Sequence, residues 1–90
     1  MSNQFYRIKD MIVIEKFDEG ALVLRMPDRI IFHFNLTALK VLDLTDGKRD
    51  VQAVSAIIAN AYHISQNEAV KDVLTFYNHL LDQNIVEQVN

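Results

Sequence analysis

At 90 residues, half of them hydrophobic and 23% charged, the chain has room for one folded domain spanning residues 1–90. It contains no cysteine, which excludes disulfide frameworks, thiolate metal centres and cysteine nucleophiles. Nine basic residues stand against twelve acidic ones, a net charge of −3, which argues against a general polyanion binder. No apolar run approaches the roughly 18 residues that span a bilayer. The first six residues lack the basic-then-apolar layout of a signal peptide, so a cytoplasmic location is expected.

In chain order, residues 11–17 read as a strand, with Ile12 and Ile14 on one face and Val13 and Glu15 on the other. Asp18-Glu19-Gly20 is hairpin chemistry, Gly20 supplying a positive φ. Residues 21–26 form a second strand, Pro27 begins a turn, and residues 29–34 form a third, which gives an antiparallel meander. The period then changes. Asn35 caps a helix that places Leu36, Leu39 and Leu42 on one face and stops at Gly47. Asp50 caps a second helix, with Val51, Val54, Ile57, Ile58 and Ala61 as its apolar stripe. Its Ala53, Ala56 and Ala59 permit close packing. Ser65 and Glu68 form a capping box for a third helix over 66–83, Asn84 ends it, and 85–89 is a closing strand. The expected fold is α+β and winged-helix-like: a three-stranded antiparallel N-terminal sheet plus a three-helix bundle.

A search for catalytic chemistry finds little. His33, His63 and His79 lie in no metal-ligand pattern, and Gly20 and Gly47 are too far apart for a phosphate loop. Ser65 is a cap rather than a nucleophile, and Asp43, Asp46 and Asp50 read as caps and turn residues rather than metal ligands. No catalytic residue, metal or cofactor is expected. DNA recognition is disfavoured, because from His63 onward Lys71 faces Glu68, Asp72, Asp82 and Glu87.

Two features point to peptide binding. The apolar positions of the third helix cover an arc of about 160°, wider than the roughly 100° stripe of a helix packed on one side. Either two partners bury that helix, or Val73, Phe76 and Leu80 face the core while Val70, Leu74, Tyr77 and Leu81 line a groove. The third strand is a sheet edge with only Arg29 and His33 as polar side chains. Unless residues 1–10 or a second copy cover it, such an edge can capture a peptide by strand addition.

The stretches Leu22-Val23-Leu24, Pro27-Asp28, Phe34-Asn35-Leu36-Thr37-Ala38, residues 41–51 with their Leu44-Thr45-Asp46-Gly47 run, Asp72-Val73-Leu74-Thr75-Phe76 and Leu80-Leu81 resemble the PqqD-like family, the recognition elements of ribosomally made peptide pathways. The similarity spans about residues 11–86. Asn84 stands where the family often has glycine. The resemblance implies a peptide chaperone that binds a precursor leader along the third strand and third helix and presents it to a modifying enzyme. That enzyme would be a radical-SAM protein in the quinone pathway, toward which the Pro27-Asp28 turn and the Leu44-Thr45-Asp46-Gly47 run lean, or a leader protease in lasso-peptide pathways. The expected binding residues are Arg29, Ile30, Ile31, Phe32 and His33, with Val70, Leu74, Tyr77 and Leu81 as the wall and Lys71 and Arg29 meeting acidic leader residues. Neither nucleic acid nor membrane is an expected partner, and the protein is expected as a monomer or weak dimer. The competing readings are a degenerate DNA-binding winged helix and a self-assembling module.

Overall fold

A computed structural model describes residues 4–89. It contains two three-stranded antiparallel sheets and three helices, an α+β winged-helix-like arrangement. The elements are β1 (Phe5–Ile8), β2 (Ile12–Phe17), β3 (Gly20–Arg25), β4 (Ile30–Asn35), α1 (Leu36–Asp43), β5 (Asp46–Asp50), α2 (Val51–Tyr62), α3 (Gln66–Asp82) and β6 (Val86–Val89). One sheet has the order β2-β3-β4 and is the meander expected from the sequence; the other has the order β5-β1-β6.

In the meander, Phe17 pairs with Gly20, so Asp18 and Glu19 form a two-residue hairpin loop. Gly20 is required by a close approach: a Cβ there would lie 2.0 Å from the Phe34 carbonyl oxygen. Directly opposed residues share a face. Ile14, Val23 and Phe32 therefore point inward together, with Ala21 and Phe34 beside them. Val13, Leu24 and Ile31 point outward, as do Glu15, Leu22 and His33. That outer face is unusually apolar, with Val13 49% and Ile31 63% exposed.

The capping residues behave as expected. The side chains of Asn35, Asp50 and Ser65 accept hydrogen bonds from the backbone N–H groups of Ala38, Ala53 and Glu68, respectively. Asp46 accepts from the Lys48 and Arg49 backbone N–H groups, which with the Arg49 guanidinium hold its carboxyl below the usual range. Asp43 pairs with Lys16.

Four expectations are corrected. The segment Phe5–Ile8 is a strand, and Asp46–Asp50 is another, so α1 ends at Asp43 and Gly47 lies within β5 instead of stopping the helix. Gly47 has a φ of 78° and packs against the Arg7 side chain. Leu36 is exposed, and Val41 joins Leu39 and Leu42 in the core in its place. Ile57, Ala53, Ala56 and Ala61 of α2 are exposed; the buried face is Val51, Val54, Ser55 and Ile58. Arg29 is not in a strand but precedes β4 in a left-handed conformation, φ 60°.

Within the core, Tyr77 ties α3 to the β5-β1-β6 sheet and to the α1–β5 connection. Its ring stacks on Tyr6 of β1 with centroids 4.3 Å apart, and its hydroxyl lies 2.8 Å from Thr45 Oγ1. Thr45 already donates its hydroxyl hydrogen to the Val41 carbonyl at 2.6 Å, so Tyr77 donates to Thr45. Burial raises the Tyr77 pKa from its ordinary 10.0.

Removing the Tyr77 hydroxyl tests this bond. Tyr77→Phe should lower stability by about 0.5–1.5 kcal/mol at neutral pH in denaturant melts. Above about pH 10 the unfolded chain ionises Tyr77 while the folded chain does not, so stability falls as pH rises toward the folded-state pKa. The variant should show a shallower alkaline loss than the parent; an identical pH profile would contradict the assignment. Ser55 presents the opposite case, a buried hydroxyl with no hydrogen-bond partner among the described residues. Ser55→Ala should stabilise the fold by about 1 kcal/mol in the same melts, and a loss of stability would show that the hydroxyl is satisfied.

Candidate functional site

The meander exposes β4 as an edge, since β4 pairs only with β3 among the described residues. The first strand does not cover it: β1 belongs to the other sheet, between β5 and β6. Pro27 sits in the preceding turn, so no proline interrupts β4 itself.

Beyond this edge runs α3. Phe34 meets Phe76 edge-on, with ring centroids 5.7 Å apart, and Phe32 stacks on Phe34 at 6.3 Å. At the other end, Arg25 donates from Nη1 to the carbonyl of Gln83, at the C-terminal end of α3. The same guanidinium is held by Asp28 at 2.7 Å and lies 5.4 Å from the centroid of the Phe32 ring. Its hydrogen bonds to the Asp28 carboxylate hold that group below its ordinary pKa. β4 and α3 thus form the walls of a cleft that Arg25 bridges at one end.

At the Phe34 end the cleft opens into a cavity of about 550 Å³. Phe34, Val41, Ile58, Tyr62, Ile64, Val73 and Phe76 supply its apolar walls. His33, Asn35, Thr37, Ala38 and Asp72 complete the lining. β4, all three helices and the α2–α3 connection therefore converge on one concave surface. It offers apolar side chains, one carboxylate and a strand edge with free backbone groups. An edge with free backbone groups beside apolar walls has the geometry that strand addition and apolar side-chain capture require.

The sequence-derived residues divide across this geometry. Ile30 and Phe32 lie on the inner face of β4, whereas Ile31 projects from the outer face. His33 borders the cavity, with its ring on the outer face 5.6 Å from that of Phe17. On α3 the expected groove face is displaced. Tyr77 is only 1% exposed and belongs to the core, held by Tyr6 and Thr45. Phe76, expected in the core, is half-buried and faces the cavity instead. At about 100° per residue, Val70, Leu74 and Leu81 point roughly 120–160° away from Phe76 around the helix. They pack against the other side of the core, and none of them lines the cavity. Lys71 is exposed and also lies off it. The wide apolar arc thus serves two buried flanks, and Asp72, Val73 and Phe76 form the side toward β4. Sequence reasoning missed Arg25, Phe34, Tyr62, Asp72 and Phe76 as site residues. The i, i+4 spacing of Asp72 and Phe76 was the available signal.

Among solved structures the chain is similar to TbiB1 in complex with the TbiA(beta) leader peptide. The identity is 16% and the TM-score 0.82, covering 90% of this chain and 94% of that one. It is similar to lasso peptide synthetase B1 complexed with the leader peptide, again at 16% identity and a TM-score of 0.82, over 91% and 96% of the two chains. It also matches the PqqD truncation of Methylobacterium extorquens PqqCD, described as a functional and stand-alone recognition element for ribosomally synthesised and post-translationally modified peptides. There the identity is 25% and the TM-score 0.74, over 91% of this chain and 87% of that chain. No curated protein matches the sequence. The model of the family described as coenzyme PQQ synthesis protein D (PqqD) matches residues 21–86, which include most of the meander, all three helices and the first residue of β6. The chain belongs to the PqqD family.

Proposed function

We propose that the protein is a non-catalytic recognition domain that binds the leader segment of a ribosomally made precursor peptide and presents it to a modifying enzyme. The observation that carries this reading is the uncovered edge of β4 beside the apolar cavity under α3. The leader pairs with the backbone of Ile30–Asn35 as an added strand, which tolerates sequence variation, while the cavity takes an apolar side chain and supplies selectivity. The family match and the 25% identity to a PqqD domain favour a quinone-type pathway with a radical-SAM partner. The higher backbone likeness to two proteins solved with leader peptides, one of them a lasso peptide synthetase B1, favours the second reading, delivery of the leader to a separate protease.

A strand paired with the six residues of β4 buries less than about 1,200 Å², which corresponds to micromolar to high-nanomolar affinity. The test is an amide NMR titration with synthetic peptides covering the N-terminal halves of the small open reading frames flanking the gene. Binding should shift amides over residues 30–35 and 72–83. Phe76→Ala should weaken it by about 1–3 kcal/mol, and Lys71→Ala should leave it unchanged. Shifts confined to Val70, Leu74 and Leu81 would move the site to the other flank of α3, and flat spectra with every peptide would sink the proposal.

A further inference from the structure

The cleft has a charge asymmetry that bears on which peptide it takes, and this inference rests on the peptide-binding reading above. Among the described residues, Asp72 is the only acidic or basic one, histidine aside, that lines the cavity. It is exposed and stands one helical turn from Phe76 on the same face of α3. Glu68 lies one turn earlier on that face and is also exposed. Among the described residues, no cation is within ion-pair distance of either carboxylate. Arg25, the cation over the cleft, is already engaged by Asp28 and by the Gln83 carbonyl. Lys71 projects about 100° around the helix from Asp72.

Glu68 has a structural role available, because a carboxylate in the first turn of a helix complements the macrodipole. Asp72 lies in the second turn, where that effect has faded, and it faces an apolar cavity in which a bound chain would exclude water. A carboxylate covered there needs a cation.

We propose that the cleft selects a strand in which an apolar anchor is accompanied by a lysine or arginine, with Asp72 as the specificity-determining residue. The apolar side chain enters between Phe34, Tyr62 and Phe76, and the basic side chain meets Asp72 at the rim, assisted by Glu68. This reverses the sequence-based expectation of acidic leader residues meeting Lys71. A glutamate at the same peptide position would be repelled and would lose its water without gaining a partner.

The probe is a synthetic strand-forming peptide of alternating apolar and threonine residues, with one position after another scanned through Lys, Gln and Glu. Affinity is read by fluorescence polarisation and the site by amide NMR. At one position the Lys peptide should bind about fivefold to tenfold more tightly than the Glu peptide at low salt. The gap should shrink as salt is raised. Asp72→Asn should largely remove the preference and Asp72→Lys should reverse it. Asp72 is exposed, so both variants should fold. Amide shifts at residues 30–35 with no charge preference, or a preference that survives Asp72→Asn, would overturn this inference and leave leader binding standing. Absence of any shift along β4 with every peptide would remove both.

Discussion

Tyr77 fixes the geometry on which the site depends. Its ring lies on Tyr6 of the β5-β1-β6 sheet and its hydroxyl donates to Thr45, between α1 and β5. One side chain therefore sets the rotation of α3 about its own axis. With Tyr77 turned inward, Val70, Leu74 and Leu81 fall on one flank, and Asp72 and Phe76 fall on the flank that faces β4. A rotation by one residue, about 100°, would put Thr75 or Tyr77 at the cleft in place of Phe76 and take the Tyr77 hydroxyl away from Thr45. Core packing and site geometry are the same constraint seen from two sides of one helix.

The second sheet explains why the cleft stays open. A chain with β1 beside β4 would satisfy the edge internally and leave nothing for a peptide. Instead β1 pairs with both β5 and β6. Arg7 and Glu87 form an ion pair across that sheet, and the Val51 backbone N–H donates to the Gln4 carbonyl at 2.8 Å. The N-terminal strand is thereby committed elsewhere, and the backbone groups along β4 remain available. Arg25 contributes from the other end by tying β3 to the C-terminal end of α3, which holds the two walls of the cleft at a fixed separation.

The meander, the three caps and the closing strand were legible in the sequence because each has a local cause: alternation in β2 to β4, and side-chain oxygens at Asn35, Asp50 and Ser65. The edge position of the strand at 30–35 was legible too, from the order of the meander. β5 was not. Its sequence, Asp-Gly-Lys-Arg-Asp, has no apolar alternation and becomes a strand only by pairing with β1, a tertiary effect that overrides propensity. β1 is four residues long, too short for a period to show. The face of α3 that turns toward β4 differs from the expected groove face for a related reason. An arc of about 160° admits more than one division between core and groove, and the side that turns inward is the one carrying Ala69, Val73, Leu80 and Tyr77, whose ring stacks on Tyr6. Leu36 was misplaced because its spacing from Leu39 and Leu42 fits a buried stripe, yet it opens α1 at the surface, where Val41 takes up the core contact.

The division of labour in the proposed site also bears on release. In the proposed mode, backbone pairing along β4 would supply affinity that does not depend on the leader's exact sequence, the cavity would read an apolar side chain, and Asp72 would read charge at the rim. Rim charges act mainly on encounter rate and discrimination, and an exposed pair adds at most about 1 kcal/mol to affinity. A carrier that must hand its cargo to an enzyme gains from that arrangement. It can distinguish its own leader from other extended chains without holding it so tightly that transfer becomes slow.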